Sequence, residues 1–325
     1  MSDRGALVLR RLWVATACAA ALLLSACGVR PDSIVQGHIT VDGSTALYPF
    51  NLKVEQAFYK LTNDSDSSIE HSGDSNALRR LCAGEISIAG AARPATDREK
   101  AACSRRGITL HRILIARQAA VVVANKGLGV DCLTTEQLHA LWRRGSKVKS
   151  YSQLESDLPA TDVALYGPTT GAAVYGLFNA AINGRATNSR SDYQSFVFPK
   201  GPQFARAVAS DPAGLGYFDY AWLKKSLGSL QVVGVDSGDG CVLPSNSTIQ
   251  DGSYSPLSRP FYYYFKLQPL TASSPVDEFL QVALANAKTF AKNHYVVPIT
   301  PAEITAARVE WLNAIRAQQR QSEEQ

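Results

Sequence analysis

The chain has 325 residues, 46% of them hydrophobic and 19% charged, with a formal net charge of +5. This is an ordinary globular composition, long enough to bury a core in each of two domains. A surplus this small excludes a nucleic-acid binder that works through bulk positive charge.

From the N-terminus, Arg4, Arg10 and Arg11 precede the apolar run Leu12 to Leu24, which is too short to span a bilayer comfortably and is flanked like an export signal. The run ends in Leu24-Ser25-Ala26-Cys27, which resembles the bacterial lipobox, whose cysteine becomes the acylated first residue of the mature protein. Residues 1–26 are therefore expected to be a lipoprotein signal peptide, Cys27 the lipid anchor and residues 27–33 a polar tether. The expected location is extracytoplasmic, on a bacterial membrane. Cleavage would leave 30 basic and 27 acidic side chains, a mature charge of +3. Cys82, Cys103, Cys132 and Cys241 would then share an oxidising compartment, where four cysteines allow three pairings.

The body of the chain repeats one unit. His38 to Val41 is a short predicted strand, Asp42-Gly43-Ser44-Thr45 a turn, and Ala46 to Leu61 a helix with Leu47, Phe50, Val54, Ala57, Phe58 and Leu61 at helical spacing. Ser68 to His71, the polar turn Ser72 to Asn76 and a helix from Ala77 to Cys82 closed by Gly84 repeat the pattern. Ile86 to Gly90 leads through Ala91-Ala92-Arg93-Pro94 to a helix beginning near Thr96-Asp97. Ile113 to Asn125 is a long apolar run interrupted by Arg117 and Gln118, readable as one strand or as two that meet at a crossing point. Thr134 to Gly145 carries a capping-box pattern, Thr134 with Gln137, and a terminal glycine. The segment YGPTTGAAVYGLF, Tyr166 to Phe178, breaks a strand at Gly-Pro and restarts as an Ala-rich helix ending at Asn183-Gly184. Gly214 to Phe218 forms a turn and strand, Pro256 to Phe265 an aromatic strand, and helices occupy Pro275 to Asn293 and Pro301 to Gln318. Alternation of this kind predicts a parallel α/β sheet whose ligand crevice lies at the carboxyl ends of the strands.

Several strand-to-helix turns carry Ser, Thr, Gly or Arg, the groups that hold an oxyanion. Helix-mouth N–H groups, hydroxyls and a guanidinium each give charge-assisted hydrogen bonds of about 1.5 to 3 kcal/mol. Metal and cofactor chemistry have no support: the cysteines lack zinc spacing, and His38, His71, His111, His139 and His294 are scattered. Gly73-Asp74-Ser75 superficially resembles a serine-hydrolase block, but that chemistry needs a base oriented by an acid, and the sequence around His294 offers no matching motif. No enzymatic activity is expected.

The order of the turns carries a family resemblance. Asp42-Gly43-Ser44-Thr45 with Tyr48-Pro49, Ser72-Gly73, Leu81 to Glu85 running to Arg93-Pro94, Gly167-Pro168, Gly214 to Phe218, and Pro256-Leu257-Ser258-Arg259-Pro260 resemble the successive motifs of the phosphate-binding proteins of ABC importers. The resemblance spans nearly the whole mature chain. It implies an α/β periplasmic-binding-protein (type II) fold, two lobes joined by two crossover strands. Lobe I would be discontinuous, residues 34–116 and 256–325, and lobe II would be residues 117–255. It also implies disulfides Cys82–Cys103 and Cys132–Cys241, each inside one lobe, and a monomer that captures inorganic phosphate or a related oxyanion for an ABC permease.

Carried over by position, the resemblance places ligand donors on Ser44, Thr45, Ser72 and Arg93. The fourth turn departs from the family's Gly-Pro-Gly-Thr-Asp-Ser-Gly-Thr type: hydroxyls expected at Ala172 and Val174 are missing, as is the acid expected at Gly171. Thr169 and Thr170 are the expected replacements, Gly171 and its neighbours offer backbone N–H groups, and Asp74 is the carboxylate left to accept the proton of a phosphate. A degenerate pocket in a non-transport sensor or interaction protein is the alternative reading, and adjacency to permease genes would separate the two.

Overall fold

A computed structural model of the chain describes residues 38–62, 67–197, 201–225, 228–266, 274–293 and 296–323. The expected signal peptide, tether and lipidated Cys27 lie outside the described residues. Strand β1 (Ile39–Gly43) leads to helix α1 (Tyr48–Thr62), β2 (Ser67–Ile69) to α2 (Asp74–Ala83), and β3 (Ile88–Ala91) to α3 (Asp97–Ser104). After the long strand β4 (Leu110–Ala124) come β5 (Cys132–Thr134), α4 (Thr135–Trp142), β6 (Ala164–Pro168), α5 (Ala173–Asn183) and β7 (Gln194–Phe196). Helix α6 (Gly201–Ser210), β8 (Gly214–Asp219), β9 (Gln231–Asp236), β10 (Cys241–Val242) and α7 (Asn246–Gln250) follow. The chain returns through β11 (Ser258–Lys266), α8 (Pro275–Asn293), β12 (Val297–Pro298) and α9 (Pro301–Glu323).

The sheet order is β2-β1-β3-β11-β4-β8-β6-β7. The outer strands pair in parallel, β1 with β2 and β3, and β6 with β7 and β8, whereas β11 and β4 are antiparallel to each other and to β3 and β8. These are the two crossover strands of a mixed α/β fold. The question left open by the Ile113 to Asn125 run is thereby answered: β4 is one strand of 15 residues. Its first half pairs with β11 and its second half, from Ala120, pairs with β8. Arg117 and Gln118 stand at the change of partner, with Arg259 directly across from Gln118.

Two large cores flank this crossing. One gathers Ile39, Phe50, Phe58, Ile115, Phe261, Phe279 and Trp311; the other gathers Val122, Leu141, Trp142, Phe178, Tyr217, Val233 and Leu257. A smaller cluster beneath α2 contains Leu78, Leu81, Ile86 and Tyr264. In α1, Phe50, Val54 and Phe58 recur every four residues and are buried, while Tyr59 and Leu61 remain exposed, so one face of the predicted helix packs and the other does not.

The predicted caps of two helices form as read. Thr134 and Gln137 make the capping box of α4, and Gly84 closes α2 in the left-handed conformation, φ 80°. Helix α4 stops at Trp142, short of the expected Gly145, because Arg143 is already extended. Helix α2 begins at Asp74, ahead of the expected Ala77. The Cys82–Cys103 and Cys132–Cys241 pairs lie at disulfide distance, with Cα–Cα separations of 4.7 and 6.1 Å.

Candidate anion site

The turn after β1 depends on a close backbone approach. A Cβ on Gly43 would sit 2.2 Å from the carbonyl oxygen of Gly90, so only glycine lets β1 and β3 end side by side. Ser44 lies just beyond, nearly buried, and its N–H donates to the Gly90 carbonyl at 2.9 Å. That donor is therefore occupied within the fold. Thr45 is exposed and lines the cavity described below.

The second and third turns are tied up internally. Asp42 is fully buried and accepts from the N–H of Gly43 (2.8 Å), the N–H and hydroxyl of Ser72 (2.7 and 2.5 Å) and the guanidinium of Arg80 (2.7 Å). Burial alone would raise the Asp42 pKa; the hydrogen bonds from Ser72, Arg80 and Gly43 outweigh it and lower it. Arg80 also pairs with Glu70. Ser72, expected as a ligand donor, thus gives its hydroxyl to Asp42. Arg93 makes a two-pronged pair with Glu99 at 2.9 and 2.8 Å and donates to Ser75 at 2.8 Å. Those hydrogen bonds pull Glu99 down to about 2 and raise Arg93. Asp74 accepts from the N–H of Ala92 at 3.2 Å and stands 3.8 Å from Arg93. Asp74 is not the N-cap of α2, a position held by Gly73.

The fourth turn differs. Strand β6 delivers Thr169, Thr170, Gly171 and Ala172 to the start of α5, where Ala172 is the N-cap and supplies no side-chain hydrogen bond. The first N–H groups of an uncapped helix seek an outside acceptor, and the helix dipole makes an anion the favoured one. A cavity of about 380 Å³ lies at this mouth, walled by Thr45, Pro49, Gln118, Thr169, residues 171–174 and Asp219. The structure therefore brings Thr45, Thr169 and Gly171 together. Ser72, Asp74 and Arg93 do not line this cavity, and Thr170 lines a neighbouring one with Thr169.

Two further side chains of the cavity wall, Gln118 and Asp219, were not assigned from the sequence, and a third, Arg259, adjoins the wall without lining the cavity. Gln118 donates from Nε2 to Asp219 at 2.8 Å and accepts at Oε1 from Arg259 at 2.7 and 3.1 Å. Arg259 also reaches the carbonyl of Ala173 at 3.4 Å, on the first turn of α5. Burial lowers the Arg259 pKa, with Asp74 and Asp219 near enough to oppose that. No carboxylate forms a salt bridge with it among the described residues. Asp219 is buried, and its pKa is pushed up to about 7 by that burial, against the hydrogen bonds from Gln118 and the N–H of Ala221. Arg259 lay inside the Ser258-Arg259-Pro260 motif and Asp219 directly after the Gly214 to Phe218 motif, but chain order alone could not show that the crossing point joins them. Among the described residues, no group of three or more His, Cys, Asp or Glu side chains is placed to hold a metal ion.

The PBP superfamily domain matches residues 28–287. Protein SphX of Synechococcus elongatus is 29% identical over 297 residues, 89% of this chain and 85% of that protein. Phosphate-binding protein PstS of Staphylococcus saprophyticus is 28% identical over 279 residues, 84% of this chain and 85% of its own. Among solved structures, a possible phosphate binding protein from Planctomyces limnophilus superposes with a TM-score of 0.80 at 28% identity, covering 86% of this chain and 99% of that one. An ABC-type phosphate transport receptor from Vibrio cholerae, at 17% identity and a TM-score of 0.64, shares the fold. With a match over most of its length, two α/β halves joined by crossover strands and PstS-like relatives, this chain belongs to the PBP superfamily.

Proposed function

We propose that the protein is a lipid-anchored extracytoplasmic solute-binding protein that captures inorganic phosphate or a related oxyanion between two lobes and delivers it to an ABC permease. The observation that carries this reading is the Arg259 guanidinium, which lies at the uncapped mouth of α5 with no carboxylate salt bridge among the described residues. An anion entering the cavity would meet the hydroxyls of Thr45 and Thr169 and the first N–H groups of α5, with Arg259 behind this wall, hydrogen-bonded to Gln118 and the Ala173 carbonyl. The lobes are residues 34–116 with 256–325, and residues 117–255. The relatives named for phosphate binding support the ligand class.

Asp219 is the acceptor in this scheme. Phosphate near neutral pH still carries a proton and sulfate does not, so a carboxylate facing the ligand favours phosphate. Gln118 stands between Asp219 and Arg259, which are joined through its neutral amide rather than by a salt bridge.

Calorimetric titration of the mature domain, beginning after Cys27, with phosphate, sulfate and arsenate tests the reading. Saturable phosphate binding with a weaker sulfate response is expected. Absence of any oxyanion binding would transfer the case to the sensor or interaction role, which the apolar residues Ala172, Ala173, Val174 and Val197 of the cavity wall favour. Mass spectrometry of the membrane fraction should find the chain beginning at acylated Cys27.

A further inference from the structure

A second cavity, of about 600 Å³, lies between α2 and α3. It is lined by Arg79, Arg93, Arg98, Arg105 and Arg106, with Glu99 as its one carboxylate and no lysine. The Cys82–Cys103 pair joins the two helices at its base.

The charges do not cancel. Glu99 is spent on Arg93. Arg79 is exposed, donates to Asn76 and lies 3.5 Å from Glu85. Arg98, Arg105 and Arg106 are exposed and form no salt bridge with a carboxylate among the described residues, while the nearby Asp97 is taken by Lys100. Like charges crowded onto one short, cross-linked scaffold repel each other unless a ligand of opposite sign spans them. The choice of arginine throughout supplies planar forks that match phosphoryl oxygens. Most of these guanidinium groups are exposed, so each contact is weak alone. Affinity must come from several negative charges on one ligand, which a single orthophosphate cannot provide.

We propose that this arginine groove is a second anion site, distinct from the cleft at α5, and that it takes a linear chain of phosphates such as inorganic polyphosphate. It does not depend on the cleft reading, because no residue of the groove lines the cleft cavity.

The test uses the mature chain and long-chain inorganic polyphosphate as the probe, with orthophosphate, an unstructured DNA oligonucleotide and phosphatidylglycerol vesicles in parallel. The triple variant Arg98→Ala, Arg105→Ala, Arg106→Ala changes only exposed side chains. It should bind polyphosphate about tenfold or more weakly and show a flatter dependence of affinity on salt, with circular dichroism and orthophosphate binding unchanged. Arg259→Ala should leave polyphosphate binding intact. The proposal is overturned if polyphosphate does not bind, if the triple variant binds it as the wild type does, if Arg259→Ala abolishes it, or if DNA or vesicles bind more tightly than polyphosphate. Failure of orthophosphate binding alone would count against the cleft and leave the groove standing.

Discussion

The turns that follow β1, β2 and β3 and the mouth of α5 contain similar ingredients and use them in opposite ways. Around β1 and α2, Asp42 gathers Ser72 and Arg80, and around α3, Glu99 gathers Arg93 and the Thr96 cap. At the mouth of α5, Arg259 and Asp219 both turn to the neutral amide of Gln118. A serine beside an arginine in a strand-to-helix turn is therefore insufficient evidence of a ligand site. What distinguishes the two regions is whether the fold supplies the counter-charge itself.

The comparison breaks most visibly if Asp42 is removed. Asp42→Ala strips a fully buried acceptor from two backbone N–H groups, the Ser72 hydroxyl and Arg80, and should cost about 3 to 5 kcal/mol of stability by urea unfolding. If the loss were instead confined to phosphate affinity with stability intact, the turns that follow β1, β2 and β3 would be ligand machinery after all.

Arg259→Ala is expected to do the reverse. Losing the guanidinium at the mouth of α5 should weaken phosphate by about 2 to 4 kcal/mol, roughly 30- to 1000-fold in Kd. Arg93→Ala should shift phosphate Kd by less than about threefold, since its partner is Glu99. Calorimetry on the two variants ranks the sites directly, and equal effects would erase the distinction.

Asp219 sharpens the same contrast through pH. Its folded pKa of about 7 lies above the usual 3.8, so the folded protein holds the proton more tightly, and ionising Asp219 costs stability as pH rises from about 4 to about 7. Asp219→Asn should flatten that part of the stability profile. In the wild type the phosphate-over-sulfate ratio should climb as pH passes about 7 and Asp219 becomes an acceptor. The variant should lose about tenfold of that ratio, near 1.4 kcal/mol. A ratio that stays constant across pH in both proteins would exclude Asp219 as the discriminator.

Periodicity was a good guide to the long elements and a poor one to the short. The buried face of α1, the capping box of α4 and the uncapped mouth of α5 were legible because each rests on residues within a few positions of one another. Strands β5, β7, β10 and β12 have two or three residues each, too few for alternation to register, and they exist because neighbours in space pair with them. The site divides the same way. Thr45, Thr169 and Gly171 were placed by the order of the turns and the family resemblance and lie within a few positions of a helix start, whereas the Gln118 link between Arg259 and Asp219 joins residues 141 and 101 positions apart. The commitments of Ser72 to Asp42 and Arg93 to Glu99 were equally hidden, since each acid also reads as an ordinary surface or capping residue.

The smallest expected effect tests the satisfied side of the comparison. Glu99 accepts both prongs of Arg93 and the N–H and hydroxyl of Thr96, which completes the capping box of α3. The Arg93 hydrogen bonds hold its pKa at about 2, below the usual 4.5, so this contribution is present above about pH 4.5 and fades as pH falls toward about 2. Glu99→Gln keeps a side chain that can cap the helix but removes the charge. With both partners partly open to water, the loss should be about 1 kcal/mol near neutral pH, vanishing in acid where the wild type is itself protonated. Phosphate affinity should stay within about threefold of wild type, because a released Arg93 still lines the α2–α3 groove and not the cleft. A phosphate Kd shifted about tenfold or more by Glu99→Gln would mean that the ion pair restrains a guanidinium the cleft can recruit, and Arg93 would rejoin the ligand set.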